Sequence, residues 1–142
     1  MLLITNGTII DPKNHFEGKE DLLIGDDGRI LKRAPSGELS VEHVFDASGC
    51  IVAPGLVDTH SHFRDPGFTY KEDLHTGSLA AAAGGYTSVI LMANTNPPVD
   101  SAEILTDILE RGRREQIHIY SAANVTKGMK GQEVNDLQAL AA

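Results

Sequence analysis

Pro54-Gly55-Leu56-Val57-Asp58-Thr59-His60-Ser61-His62-Phe63-Arg64-Asp65-Pro66-Gly67 decides how the rest of this chain is read. Turn pairs open and close it, so Leu56–Phe63 reads as one strand between two breaks. Alternate side chains of a strand share a face, which sets Asp58, His60 and His62 on one side and Thr59 and Ser61 on the other. A neutral imidazole binds zinc at about 2.0–2.1 Å, and a nearby carboxylate commonly orients the ligating ring. His60 and His62 are therefore candidate ligands of one metal ion, and Asp58 is a candidate to hold a ring in place. Two ordinary histidines near a strand end have the same spacing, so their position in the fold must decide.

Toward the C-terminus, Lys71–Ala83 is rich in alanine and stops at Gly84-Gly85, the pattern of a helix closed by glycine. Tyr86–Ala93 (YTSVILMA) is a nearly unbroken apolar run, as a parallel strand covered on both faces requires. Asp100 or Ser101 can cap a second helix that carries Ile104, Leu105, Ile108 and Leu109 on one side. Ile117–Ala123 reads as a third strand, and Glu133–Ala142 as the start of a third helix. The order β-α-β-α-β-α defines an α/β fold with a parallel sheet. A (β/α)8 barrel takes about 250 residues. Residues 55–142 are thus expected to be the first three β/α units of a TIM-like (β/α)8 barrel, truncated within the third helix. Such a piece alone would leave apolar sheet edges open to association.

Toward the N-terminus the pattern is short strands and turns. Leu2–Thr5 and Thr8–Ile10 flank Asn6-Gly7, a hairpin signal, although a bulge is also compatible. Asp21–Ile24 and Arg29–Leu31 flank Gly25-Asp26-Asp27-Gly28, a second hairpin candidate. Val44–Asp46 and Ile51–Ala53 lie on either side of Ser48-Gly49. Residues 1–54 are expected to contribute N-terminal strands of a small sheet or β-sandwich, with the domain boundary at Pro54-Gly55.

In parallel α/β folds the active face lies at the carboxyl ends of the strands. His60 and His62 close the first of these strands, which favours ligation over chance. Arg64 follows at once, in a short loop, with a planar fork suited to bidentate recognition of a carboxylate. Asn94 follows the second strand, and its amide can donate to a carboxylate or carbonyl. Spacing alone leaves Arg64 and Asn94 open between ligand binding and ordinary loop positions. Asn124 ends the third strand without an assigned role, and His15, His43, His75 and His118 read as surface or satisfied core residues.

Composition excludes several classes. Hydrophobic residues are 41% and charged residues 23%, the globular range. Twelve basic against twenty acidic residues give a formal charge of −8 with no basic cluster, a poor footprint for nucleic acid. Cys50 is the sole cysteine, so a reducing, cytoplasmic setting fits. Neither a signal peptide nor an apolar run of about 20 residues, the length needed to span a bilayer, is found.

Taken together, DTHSHFRDPG and then KEDLHTGSLAAAAGGYTSVILMANTNP, between Asp58 and Pro97, resemble the dihydroorotases of the amidohydrolase superfamily. Weaker, collinear likeness covers Leu2–Pro12 and Gly49–Gly55. The resemblance implies a (β/α)8 barrel with a small β-sandwich built from both termini. It implies that His60 and His62 bind zinc (one or two ions, or another divalent metal) and that Arg64 and Asn94 bind a substrate carboxylate. The implied reaction interconverts N-carbamoyl-L-aspartate and dihydroorotate in pyrimidine biosynthesis. The implied catalytic aspartate and further ligands belong beyond residue 142, so this chain alone is expected to be inactive. A homo-oligomer is expected, and some relatives form a complex with aspartate carbamoyltransferase. Hydantoinases, dihydropyrimidinases and allantoinases share the histidine pair, and a non-catalytic scaffold on this fold is a further alternative. Thr59 and Ser61 replace usual apolar residues of the family, Asp65 a usual glutamate and Ala93 a usual proline.

Overall fold

The computed structural model describes residues 1–141, and the chain divides into two compact units, Met1–Pro54 and Gly55–Ala142. Seven short strands build the first unit: β1 (Leu2–Thr5), β2 (Thr8–Asp11), β3 (Phe16–Lys19), β4 (Asp21–Ile24), β5 (Ile30–Ala34), β6 (His43–Asp46) and β7 (Ile51–Val52). They form two mixed sheets, ordered β5-β4-β1-β6 and β3-β2-β7. The hairpin expected at Gly25–Gly28 is present: β4 and β5 pair antiparallel, and Gly25 N–H donates to the Arg29 carbonyl at 2.8 Å.

The hairpin expected at Asn6-Gly7 does not form. β1 pairs with β4 and β6, β2 pairs with β3 and β7, and the two strands lie in different sheets. The reason is a competing partner. The 43–52 segment runs parallel to the 2–9 segment, so each of β1 and β2 gains a parallel neighbour from it. Asn6 turns the chain between sheets at φ +63°, and its amide donates to Asp46 Oδ1 at 2.9 Å. Gly7 is required there because a Cβ would come within 2.6 Å of Val52 Cγ2. Leu3, Ile9, Leu22, Ala34 and Ala47 are the buried apolar residues of this unit.

The second unit alternates strand and helix: β8 (Leu56–Ser61), α1 (Leu74–Ala83), β9 (Tyr86–Leu91), α2 (Ala102–Gly112), β10 (His118–Ser121) and α3 (Leu137–Ala141). β9 is central and pairs parallel with β8 and β10. Ser61, Leu91 and Ser121 stand in register, so all three strands end at one level. The apolar stretch of β9 supplies Val89 and Leu91 to a core with Phe63, Leu74, Val99, Ile108, Ile117 and Ile119. On the outer strands Leu56, Val57 and Tyr120 stay exposed. No helix among the described residues is long and apolar enough to cross a membrane.

Capping sets the helix starts. Asp73 accepts from Thr76 N–H at 2.7 Å, and the Thr76 hydroxyl accepts from Asp73 N–H at 3.1 Å. The backbone N–H of Thr76 most of all, and then its hydroxyl, donate to the Asp73 carboxylate and hold it below its usual pKa. The helix therefore begins at Leu74 rather than at the expected Lys71. Ser101, not Asp100, caps α2 and accepts from Ile104 N–H at 3.3 Å. α3 starts at Leu137 instead of the expected Glu133, because Val134 is drawn into a bridge with Thr126 and Asp136 caps Ala139 N–H at 3.0 Å. The end of that expected helix, Ala142, lies outside the described residues.

Gly77 is where α1 meets the end of β8. A Cβ there would lie 2.6 Å from two ring carbons of buried Phe63. Glycine to alanine inside a helix normally stabilises by about 1 kcal/mol, but overpacking a filled core costs about 1–3 kcal/mol. The clash involves the root of the ring, so overpacking wins. Gly77→Ala is expected to lower stability in urea unfolding of the full-length protein, whereas a gain would show that the ring gives way freely.

Candidate metal and substrate site

β8 ends one residue earlier than its ligand pattern, so His60 lies inside the strand and His62 just past it. Two register shifts interrupt the β8–β9 ladder, one of them between Asp58 and Ser61. Even so, the rings stay together: their centroids are 5.3 Å apart and their planes are inclined at 61°. Two imidazoles on one tetrahedral ion, each nitrogen about 2.0–2.1 Å from it, put their ring centres roughly 5 Å apart. The observed separation is compatible with a shared ion. Among the described residues no group of three or more His, Cys, Asp or Glu is arranged to hold a metal. The pair by itself offers two nitrogen donors and no third.

Asn94 joins the pair from the neighbouring strand. His62 Nδ1 lies 2.9 Å from Asn94 Oδ1. An amide oxygen only accepts, so Nδ1 carries a proton, and in the neutral ring Nε2 then keeps the lone pair that a ligand needs. Ligating histidines almost always donate their other ring N–H to such an acceptor. The Asn94 NH2 group then remains available to a second acceptor. Asp58 does something else: its Oδ1 accepts from the backbone N–H of His60 at 2.9 Å, so it fixes the strand's course and not a ring.

Arg64 stands three residues past Ser61, as Asn94 stands three past Leu91. It adopts a left-handed backbone, φ +59°, between buried Phe63 and buried Asp65. It makes no ion pair among the described residues. Its carbonyl accepts from Phe68 N–H at 2.9 Å, closing the turn. The two loops touch through backbone: Asn96 N–H donates to the Pro66 carbonyl at 3.1 Å, and a Cβ on Gly67 would fall 1.9 Å from the Asn96 carbonyl oxygen. Only glycine allows that approach, so Arg64 and Asn94 ride on loops packed against each other.

Asp65, a departure from the family's usual glutamate, pairs with Arg111, which no motif marks. Asp65 is buried and takes two contacts from the Arg111 guanidinium, at 2.8 and 2.9 Å. Those hydrogen bonds push the Arg111 pKa still further up. No spacing rule links positions 65 and 111, so no sequence signal could have found them. Asn124 is buried, and its NH2 group has no partner among the described residues. Of the remaining histidines, exposed His75 meets Glu115 at 2.9 Å, His118 is exposed on β10, and His15 and His43 belong to the first unit.

The fold is shared with hydantoinases. The L-hydantoinase of Arthrobacter aurescens superposes on 89% of this chain and 28% of its own, with TM-score 0.73 and 21% identity. An N-acyl-D-glutamate deacylase from Bordetella bronchiseptica, solved with zinc and a phosphonate inhibitor, covers 87% of this chain and 29% of its own, with TM-score 0.57 and 26% identity. The sequence narrows the class. A model of the dihydro-orotase-like family matches residues 49–142, and the chain belongs to that family. The dihydroorotase of Streptococcus pyogenes is 52% identical over 140 residues, which is 99% of this chain and 33% of the relative. The chain thus spans about a third of the length of the curated relatives it matches.

Proposed function

We propose that this chain forms the N-terminal third of a metal-dependent cyclic amidohydrolase, most specifically a dihydroorotase. In this reading residues 55–142 are the first three β/α units of a (β/α)8 barrel, and residues 1–54 supply strands of a small β-sandwich. The single observation that carries the site is the His62–Asn94 hydrogen bond. It joins His62, a metal ligand in this reading, to Asn94, the substrate-binding amide in this reading, just past the ends of adjacent parallel strands.

His60 and His62 would hold the metal, zinc in one or two ions, with the other ligands on later strands. When bound, such an ion polarises a carbonyl and lowers the pKa of water to about 7. The chain's own residues bind and orient. Arg64 grips a substrate carboxylate with two parallel N–H donors. Asn94 donates from its NH2 group to the same carboxylate while its oxygen accepts from His62 Nδ1. The general base, an aspartate by the resemblance, belongs to the later part of the protein. The substrate is a small carboxylate-bearing cyclic amide, the setting is cytoplasmic, and the full protein is a homo-oligomer. Neither nucleic acid nor membrane is a partner, whereas an aspartate carbamoyltransferase complex is open to test by co-purification.

A hydantoinase-type amidase is the second reading, favoured by the hydantoinase fold neighbours. Turnover by the full-length protein separates the two. We expect hydrolysis of dihydroorotate and none of hydantoin or allantoin. The reverse pattern would sink the dihydroorotase reading, and a metal-free protein indifferent to His60→Ala would favour a scaffold.

A further inference from the structure

Arg64 is exceptional in its backbone: a non-glycine residue at φ +59°, a conformation that persists only where its surroundings enforce it. The enforcement is visible on both sides. Phe63 before it is 5% exposed and seated against Gly77 of α1. Asp65 after it is 6% exposed, and its carboxylate is held from two helices. Arg111, in the last turn of α2, spans both oxygens, with Nη1–Oδ2 at 2.8 Å and Nη2–Oδ1 at 2.9 Å. Leu74 N–H, the first residue of α1, approaches Oδ2 at 3.4 Å. Arg111 is itself fixed by Asp107 one turn earlier, Nε–Oδ2 at 2.9 Å. Charge and direction agree: an anion sits at the N-terminus of one helix, paired with a cation at the C-terminus of another.

We propose that the ion pair between buried Asp65 and partly exposed Arg111 is the element that aims Arg64, and that Arg111 is therefore a positioning residue for recognition of the substrate carboxylate. The inference rests on the reading of Arg64 as the carboxylate-binding residue. A left-handed residue between two buried neighbours has its side-chain direction set by how deeply those neighbours are held. Phe63 is held by packing alone, which tolerates sliding. Asp65 is held by a bidentate fork, which fixes rotation as well as depth. Loss of the fork releases Asp65, and with it the direction of Arg64, while the Pro66–Asn96 contact still holds the far side of the turn and β8, which carries His60, keeps its ladder with β9. The histidine pair should then survive, and carboxylate binding should not.

The test uses the full-length, metal-loaded protein and dihydroorotate hydrolysis. Arg111→Met is expected to raise KM about 10-fold or more, with kcat within about 3-fold and metal content unchanged. Arg111→Lys keeps the charge without the fork and is expected to fall between wild type and Arg111→Met. In an Arg64→Met background the Arg111→Met change should alter KM by less than about 2-fold, because nothing remains to be aimed. An unchanged KM in Arg111→Met, or an equal KM effect in both backgrounds, overturns the positioning role. Should Arg111→Met fail to fold, Arg111→Lys decides: a wild-type KM overturns the inference. If Arg64→Met itself leaves KM unchanged, the underlying reading of Arg64 falls, and the inference with it. If Arg64→Met raises KM and Arg111→Met does not, only the inference falls.

Discussion

Substitution of His60 or His62 by alanine in the full-length protein is expected to strip the metal and lower kcat/KM by at least about 1,000-fold. The magnitude follows from what the ion contributes. Lewis-acid activation and a lowered water pKa together supply several kcal/mol of barrier reduction, and each 1.4 kcal/mol is tenfold in rate. A site that loses one of its few protein ligands forfeits most of that. The two variants should differ in one respect. Removing His62 also takes away the donor that holds Asn94 Oδ1 at 2.9 Å, so Asn94 is freed to rotate. Residual activity restored by excess zinc should therefore show a raised KM in His62→Ala and a near-normal KM in His60→Ala. Metal analysis by mass spectrometry with parallel kinetics provides the check. Full metal content in both variants would remove the pair from the site.

The second large effect concerns Arg64. Arg64→Lys keeps the positive charge but replaces a planar fork by a point donor. A charge-assisted bidentate contact outweighs a single one by about 2–3 kcal/mol, so KM for dihydroorotate should rise roughly 30- to 150-fold. kcat should change less, since the carboxylate is bound in both the ground state and the transition state. Metal content should stay at the wild-type level, because Arg64 touches neither ring among the described contacts. This separation distinguishes a substrate residue from a ligand. Unaltered kinetics would return Arg64 to the solvated loop arginine that its sequence position also allows.

How much of this was legible beforehand varies with the range of the interaction. The β/α order of the second unit follows from periodicity, alanine content and glycine stops, all of which are local. Helix starts were off by a few residues, at Leu74 and Leu137, where a side-chain cap or a bridge decided between neighbouring positions. The Asn6-Gly7 turn failed for a stronger reason. Its sequence favours a hairpin, yet the 43–52 segment supplied a parallel partner to each strand, and a propensity cannot see a partner some 40 residues away. Asp58 shows the same limit at close range. Strand alternation pointed it toward a histidine ring, whereas its Oδ1 accepts from the backbone N–H of His60.

The sequence by itself determined the histidine pair, the arginine beyond it and the asparagine one strand later, because strand alternation and loop position are short-range properties. Tertiary structure alone decided that Asn94 carries His62's proton acceptor, that Gly67 lets the two loops meet, and that Asp65 is gripped by Arg111. Each of these joins residues from different β/α units. Only parallel pairing of β8 with β9, and packing of α1 and α2 against that sheet, brings such residues within hydrogen-bond reach.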